Sequence, residues 1–504
     1  MTVIVQQSTD SNGNPQPMVY DQDTGKIIVD SDGYYVNGGK RLFNIPTKAD
    51  YVSTVKTTSA GFQEAFTYLE PTGGRIKIAD GIYYPSTGAT YTSEAPLRIS
   101  GVRPNVTRGS TFTSEMSGGT WIIPASDYPT DNTPLFKFLN TDSGNNDGFI
   151  DIGNMGIIGT YIKVGDTVPA GAASTSPVAL QFGNTTSNEG GGPVSKNVHD
   201  IKIINCVAAI VSYSGGGPSF YDNIQANGCG HSGSVTINGS SAGGATFILY
   251  DLSQHWGKIE IFSPQGNDVF QIYNSAGGYA PSVLIDNLYS NVASNDCIYI
   301  GSTLSGVYVS IGLINLAGVA STGNSLFGLS TAGSLTAYIA NMYQSGSNLI
   351  RQYNSSSTTK VDISVGNYHA TNSAGIVANG NSVASGSSLA ISNAYLESLT
   401  SGALGNSITN LTWIMTNIYP IQVPTTPSVP SSGTAQENTN PYAVDVYMYG
   451  GTVTEIQITR GGTAYTVFSN STGLALSGQA YKLNPTDSIT VTYTAAPTWE
   501  WLSD

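Results

Sequence analysis

The stretch IDNLY, residues 285–289, places an Asn between apolar positions, and the same pattern recurs along the chain. IANMY (339–343), SVGNYH (364–369), ISNAYL (391–396) and MTNIYP (415–420) repeat it. The aligned positions, at intervals of about 26, 26, 28, 26, 26 and 24 residues, are Ile261, Asn287, Leu313, Asn341, Asn367, Asn393 and Asn417. A period of 20 to 50 residues with strand-forming side chains predicts a solenoid.

The repeat predicts a parallel β-solenoid, in which coils stack at about 4.8 Å and equivalent residues form columns. The apolar position before the Asn is expected to point into the core. The Asn is expected at a bend, where its amide bonds to backbone groups and tolerates unusual backbone angles. Stacked amides then form a ladder, so the column has a structural role. Its expected members are Asn287, Asn341, Asn367, Asn393 and Asn417, together with Asn154 and Asn205.

The composition favours one long repetitive all-β protein. Of 504 residues, 59 are Gly and only 10% are charged, against about 25% in an average globular protein. The 19 basic and 33 acidic residues give a net charge of -14, which argues against nucleic acid as a partner. The three cysteines form no CxxC motif, and the four histidines have no metal-ligand spacing. No cofactor and no metal are therefore expected.

The chain divides into four segments by composition and pattern. Residues 1–45 alternate between short apolar runs and Asp-Gly or Gly-Gly turns, which predicts a separate β-hairpin segment. Residues 46–421 form the β-helix body, whose first part is a cap with a helix. Residues 422–442 are rich in Pro, Ser and Thr, as in a semi-extended linker. Residues 443–504 alternate strongly and predict a small antiparallel, sandwich-like β-module.

The cap is predicted from residues 59–84. Four apolar residues lie at helical spacing before Pro71, and Ile76 and Ile78 then alternate with polar residues as in a strand. The four helical positions are Phe62, Ala65, Phe66 and Leu69.

The chain has no apolar run of the roughly 18 residues that a membrane span needs, and its N-terminus lacks the features of a conventional signal peptide. A surface of extracellular character without an export signal is expected of a virion component, assembled inside the cell and exposed after release.

The sequence resembles the pectate-lyase-like superfamily of right-handed parallel β-helices, especially viral tailspikes. The matching elements are GFQEAFTYL (61–69), EPTGG (70–74), RIKIADGIYY (75–84), PLRISGV (96–102) and the Asn-bearing coils, and the match covers about three quarters of the chain. The resemblance implies an N-terminal segment that binds other virion proteins, a β-helix body, a C-terminal β-module and a homotrimer. It also implies a location on the virion surface and a host surface polysaccharide or glycoprotein as partner.

The catalytic patterns of the β-helix pectinases are not matched. The stretch GCGHSGS around His231 is only a near miss to the Gly-His-Gly of the polygalacturonases, and no Asp-Asp doublet occurs. Arg351 is the only Arg between residues 109 and 460, whereas pectate lyases use an Arg or Lys beside an acidic calcium site.

The column alignment gives one catalytic candidate, Glu260 with Asp286. Each precedes an aligned position, so the two carboxylates are expected about 5 Å apart on adjacent coils. Such a pair would raise one pKa and would match the separation in retaining glycosidases. His255, Trp256 and Lys258 are then the expected substrate-binding residues. The alternative is that both acids are solvated and neutralised by Lys258.

The same column continues as a strip of small residues, which suits either packing against another chain or a smooth solvent face. The strip consists of Gly312, Ala340, Gly366, Ser392 and Thr416.

The sequence favours a tailspike- or fibre-type attachment protein that binds cell-surface glycans. The alternatives are a polysaccharide depolymerase of the same fold, acting as glycoside hydrolase or lyase, and a leaderless surface adhesin.

Overall fold

The computed structural model is predominantly β-strand and describes these parts of the chain: residues 2–9, 15–21, 23, 27–29, 59–104, 118–130, 133–141, 148–162, 176–183, 191–193, 195–213, 217–230, 235–237, 240–242, 244–262, 268–273, 281–291, 296–301, 306–317, 325–330, 334–345, 348–352, 359–371, 376–397, 405–406, 408–419, 426–440 and 442–503. Within these residues, no helix is long and apolar enough to cross a membrane. His231 lies outside them.

The N-terminal part forms a cap of short strands and one helix. Helix α1 buries all four of its predicted apolar positions, and the Phe62 ring packs edge-on against Phe136 with centroids 5.1 Å apart. The predicted cap is therefore confirmed. Its elements are β1 (Thr2–Thr9), β2 (Pro15–Asp21), β3 (Ile27–Val29), α1 (Phe62–Leu69), β4 (Gly74–Ile78), β5 (Gly81–Tyr83), β6 (Ala89–Thr92), β7 (Leu97–Ser100) and β8 (Thr120–Ile122).

The first strand joins the N-terminal hairpin to the body. β1 pairs antiparallel with β2, as a hairpin should, but it also pairs in parallel with β4, with Val3 opposite Ile76. The expectation of a separate segment is wrong for these strands, because the open edge of the first coil takes β1 as its partner.

In the body, most coils add one strand to a larger sheet and one strand to a smaller sheet. Its elements are β9 (Phe136–Leu139), β10 (Phe149–Ile158), β11 (Val178–Phe182), β12 (Ser195–Ile204), β13 (Ala208–Ser212), β14 (Pro218–Asn227), β15 (Val235–Ile237), β16 (Ser240–Ala242), β17 (Ala245–Leu249), β18 (Ser253–Phe262), β19 (Asp268–Ile272), β20 (Ser282–Asn291), β21 (Asp296–Ile300), β22 (Val307–Ala317), β23 (Ser325–Leu329), β24 (Leu335–Ser345), β25 (Asn348–Gln352), β26 (Val361–Thr371), β27 (Ile376–Gly380), β28 (Ser387–Glu397), β29 (Gly405–Asn406), β30 (Leu411–Met415) and β31 (Ile418–Tyr419).

Parallel pairing between coils confirms the β-helix. The long strands β10, β12, β14, β18, β20, β22, β24, β26 and β28 stack in that order in the larger sheet. The short strands from β6 and β9 to β29 stack in the smaller sheet. The apolar position of the motif is buried throughout. Its column in the larger sheet is Ile152, Val198, Tyr221, Trp256, Ile285, Ile311, Ile339, Val365 and Ile391.

The amide column, defined as the residues in register with Asn287, has the predicted members in the C-terminal coils. The expected bend with unusual backbone angles is wrong for Asn287, Asn341, Asn367 and Asn393, which lie within β20, β24, β26 and β28. Asn287 lies opposite Leu313, and Leu313 opposite Asn341. On the other side, Asn287 lies opposite Lys258 and not near Ile261. The alignment to Ile261 is wrong because this coil step is 29 residues long, whereas the next is 26.

The amides of the C-terminal coils form the predicted ladder. Nδ2 of Asn367 donates to Oδ1 of Asn341 (2.9 Å), Asn393 to Asn367 (3.0 Å) and Asn417 to Asn393 (2.9 Å). On the neighbouring rung Leu313 has no amide, and Asn341 Nδ2 donates there to the backbone carbonyl of Gly312 (3.4 Å). The ladder links successive coils through side chains as well as through the backbone.

Polar residues with left-handed backbone angles occupy both ends of the amide column. Asn154, Asp200 and Asn223 have φ of 59°, 54° and 51°, and Asn417 has 51°. Asn and Asp adopt this region more readily than other side chains do. Asn205 also has a positive φ but lies beyond the end of β12, at a different bend, so it is not a member of the column.

The strip of small residues has a steric cause within the chain. A Cβ on Gly312 would lie 2.7 Å from the carbonyl oxygen of Asp286, and one on Gly366 would lie 2.7 Å from that of Ala340. The backbone of the preceding coil leaves no room for a side chain at these two positions. The small residues there are therefore not evidence that another chain packs against the strip.

A buried ion pair lies inside the N-terminal half of the body. Lys196 Nζ is 3.1 Å from Oδ1 of Asp251, and both side chains are almost fully buried. Ser212 and Tyr221 donate to the same carboxylate at 2.7 and 3.0 Å. Burial lowers the pKa of Lys196, and the charge of Asp251 opposes that effect.

The C-terminal module is the predicted antiparallel sheet with its own core. Trp499 and Trp501 are buried there, their ring centroids 5.9 Å apart. The three cysteines of the body are likewise buried thiols. The module's strands are β32 (Ala435–Glu437), β33 (Val444–Arg460), β34 (Thr463–Leu483), β35 (Ser488–Ala495) and β36 (Thr498–Ser503).

Most of the predicted linker belongs to this module. The Pro427 carbonyl accepts from Trp499 Nε1 (2.7 Å), the Pro430 carbonyl accepts from the Tyr493 hydroxyl (2.7 Å), and β32 pairs with β35. From residue 426 onward the expectation of a free linker is therefore wrong, since proline carbonyls remain acceptors even where no periodic pattern is visible.

We expect Asp251→Ala to destabilise the body strongly, because it leaves Lys196 buried without its counter-charge. The free energy of unfolding should fall by about 3–5 kcal/mol. Asp362→Ala is the matched control: its partner Lys360 is also 3.1 Å away, but both side chains are solvent-accessible, so the loss should stay below about 1 kcal/mol. Denaturant unfolding followed by circular dichroism measures both, and equal losses would contradict the prediction.

The ladder predicts a second pair of variants. Asn367 makes two amide bonds and Asn287 faces Leu313, which has no amide. Both side chains are exposed, so the two variants differ mainly in the amide bonds that are lost. Asn367→Ala should therefore lower the free energy of unfolding by roughly 1 kcal/mol more than Asn287→Ala. Thermal unfolding of the two variants side by side would show the difference, and a larger loss in Asn287→Ala would contradict a stabilising ladder.

Candidate functional site

Two neighbouring columns on the outside of the larger sheet carry the candidate functional side chains. The first is the amide column. The second, two residues further along each strand, is termed the aromatic column, and the two together the lateral band. The aromatic column is Lys202, Gln225, Glu260, Tyr289, Asn315, Tyr343, His369 and Tyr395. With eight strands from β12 to β28, the band is roughly 34 Å long at the parallel strand spacing.

The N-terminal end of the band is a cleft of about 680 Å³, termed the polar cleft. Its walls mix cationic, acidic and amide groups with few apolar ones. The lining residues are Arg103, Pro104, Asp200, Ile201, Lys202, Asn223, Ile224, Gln225, Lys258 and Glu260.

Asp200 is the centre of a charged network that no sequence motif indicated. Its carboxylate is 3.0 Å from Nδ1 of His199 and 3.6 Å from Nη1 of Arg103, and it accepts from Asn223 Nδ2 at 2.5 Å. Nε2 of His199 lies 3.3 Å from a second carboxylate, Asp151. Burial tends to raise the pKa of Asp200, but the bonds from His199 and Asn223 and the charge of Arg103 together lower it. Asp200 therefore stays ionised and acts as an acceptor.

Glu260 and Asp286 do not form the expected pair. Glu260 lies opposite Tyr289, in the aromatic column. Asp286 lies between the ladder pairs Trp256–Ile285 and Lys258–Asn287, outside both columns of the band. The alignment that placed the two acids on adjacent coils is wrong because of the same three-residue shift in register that misplaced Ile261.

Each of the two acids has its own cationic or polar partner. Glu260 is 2.8 Å from Nζ of Lys258 and accepts from Gln225 Nε2 at 2.7 Å. Asp286 is 3.1 Å from Nε2 of His255. These contacts resemble the alternative of neutralised surface acids more closely than a shared-proton pair.

The three expected substrate-binding residues separate in the structure. Lys258 lies in the polar cleft, and His255 is exposed beside Asp286. Trp256 is wrong as a substrate-binding residue: its side chain is buried and stacks on Tyr221 with centroids 4.0 Å apart. The reason is the alternation of a strand, which turns Trp256 inward when its neighbour His255 faces out.

The C-terminal end of the band combines aromatic rings with the amide ladder. Tyr343 and Tyr395 are each 48% exposed, and His369 between them contacts both rings edge-on, at 5.5 and 4.8 Å. A shallow pocket of about 200 Å³ lies between these rings, Asn367 and Asn393. Exposed rings beside amide donors and acceptors offer stacking and hydrogen bonds together.

A separate pair of buried acids lies on the smaller sheet. Asp268 and Asp296 are opposite each other on β19 and β21, with Ser325 next in register donating to Asp296. The pKa of Asp268 is raised to about 7, chiefly by burial and also by the charge of Asp296, while the hydrogen bond that Gln271 donates to Asp268 opposes the shift. In the described part of the chain, no group of three or more His, Cys, Asp or Glu residues is arranged to hold a metal ion.

Comparison with known proteins gives little further information. No family model and no curated protein matches the chain. Among solved structures, ORF18 of Geobacillus virus E2 is similar over 94% of this chain and 83% of its own, at 12% identity and a TM-score of 0.38.

The raised pKa of Asp268 predicts a specific pH dependence. A carboxyl with a folded pKa of about 7 and an ordinary value of 3.8 binds its proton more tightly in the folded state. Its stabilisation is full below pH 4 and is lost as the pH rises towards 7. Asp268→Asn removes this loss, so the melting temperature of the variant relative to wild type should increase from pH 4 to 7. A difference that is constant across that range would contradict the assignment.

Proposed function

We propose that this protein is an attachment protein of the tailspike or tail-fibre type, which binds host surface polysaccharide or glycoprotein glycans along the lateral band. The observation that carries the proposal is the side-by-side arrangement of exposed rings and amides over the C-terminal half of the band. Sugars present both apolar ring faces and hydroxyl groups, and this surface offers a partner for each.

The length and openness of the band suit a polymer. The band runs along the stack of coils, so a chain-like ligand meets the same kind of side chain at each rung. Its contacts are individually weak, and several copies of the protein would multiply them through effective concentration. We propose that the protein acts as a homotrimer on the virion surface, with residues 1–45 towards other virion proteins.

The geometry favours binding over cleavage. A glycosidase needs a protonated acid near a second carboxylate. In the polar cleft Asp200 is held ionised and Glu260 is paired with Lys258. The depolymerase remains the alternative, with Glu260 and Asp286 as its first candidates. A surface adhesin that is not part of a virion would be absent from purified virus particles, and proteomics of the particles tests this alternative.

Binding to a panel of purified bacterial and archaeal surface polysaccharides tests the proposal. Tyr343→Ala and Tyr395→Ala should each weaken binding by roughly two- to tenfold, since each removes a stacking contact of about 0.5–1.5 kcal/mol. Tyr308→Ala is the matched control, because Tyr308 is 45% exposed on the same sheet but lies outside the band. Biolayer interferometry with immobilised polysaccharide gives the affinities.

The same incubations separate binding from cleavage. The polysaccharide should keep its length on size-exclusion chromatography. Shortened products that disappear in both Glu260→Gln and Asp286→Asn would establish the depolymerase instead. Unchanged affinity in both tyrosine variants would exclude the lateral band as the binding surface.

A further inference from the structure

β34 is a long strand at the edge of the C-terminal sheet. It spans 21 residues, and its ladder pairing among the described residues is with β33 alone. The sheet order is β32, β35, β33, β34, with β36 also on β33, so the outer side of β34 faces no described strand. A row of backbone donors and acceptors therefore points away from the sheet.

The module's apolar core continues onto β34 without a cover. Tyr465 lies opposite Ile458, and Leu474 lies opposite Val453. The two β33 residues are buried, whereas Tyr465 is 55% and Leu474 46% exposed. Directly opposite residues of an antiparallel pair share a face, so the exposed side chains extend the core face to the edge.

The segment from 461 to 481 has no Lys, Arg, Asp, Glu or His. Natural edge strands are usually protected by charge, by proline or by a covering element. Residues 461–481 contain neither a charged side chain nor a proline. In a chain of net charge -14, two copies that meet along this stretch bring no acidic side chain of the stretch into the contact.

We infer that β34 is the surface at which a second copy of this chain docks. Pairing with an edge strand of the second module satisfies the outward backbone groups of β34. It also places Tyr465 and Leu474 against apolar surface of the same composition. An identical partner is favoured over an acidic or basic one because β34 carries no charged side chain before Lys482, at its C-terminal end, that could select such a partner. Self-association at β34 rests on the proposed homotrimer and does not require that the lateral band binds glycans, which the polysaccharide assays test separately.

Sedimentation equilibrium of the full chain over a wide range of concentration tests the inference. We expect a mass of more than one copy, and Leu474→Lys and Tyr465→Lys should each weaken self-association by about tenfold or more, since each buries an unpaired charge in the contact. Leu502→Lys and Tyr449→Lys are the matched controls: both residues are exposed in the same module but lie on strands β36 and β33, away from the edge. These controls should associate as wild type does.

Cysteine cross-linking keeps the test valid if a lysine variant fails to fold. The natural thiols Cys206, Cys229 and Cys297 are buried, so an added surface thiol is the reactive one. Val467→Cys or Ser469→Cys, labelled with a photoactivatable cross-linker, should give a covalent species of two chains on illumination, and labelled Leu502→Cys should not. A monomer at every concentration, association unaffected by both lysine variants, or cross-linking confined to Leu502→Cys would each overturn the inference.

Discussion

The columns, the core and the outer surfaces of this protein all follow from the parallel stacking of its coils at a single strand spacing. Because each rung lies about 4.8 Å above the last, a residue type repeated at the right interval becomes a continuous column. An inward column of apolar residues then forms one core along the axis, and an outward column forms a surface of uniform chemistry. The amide ladder from Asn341 to Asn417 is one such column, with its bonds running along the stack.

The same constraint produces the open surface on which we propose that glycans bind. The lateral band changes from a charged cleft around Asp200 at one end to rings and amides around Tyr343 and Tyr395 at the other. Ions at the charged end are paired with each other, which leaves the uncharged end as the part with free stacking surface. The net charge of -14 is the reason to propose neutral glycans as ligands before polyanions.

Stacking also leaves unpaired backbone groups at the ends of the solenoid, which other elements cover. A solenoid exposes an open rung at each terminus, and here the first is covered by α1 and by the pairing of β1 with β4. In the C-terminal module one edge of the sheet is covered and the other is not. Residues 426–437 cover one side of it with backbone acceptors and with β32, whereas β34 has no such cover among the described residues.

Local periodicity and a nearly constant coil length were enough to predict the fold class, the cap helix and the column register from Asn287 to Asn417. The register of the earlier coils depends on the tertiary structure, where Gly153 and His199 are neighbours although 46 residues separate them. Coil length is set by loops that carry no periodic signal, so a shift of three residues moved Glu260 away from Asp286. The strand's alternation then turned Trp256 into the core, and the pairing of β33 with three other strands left the edge of β34 open.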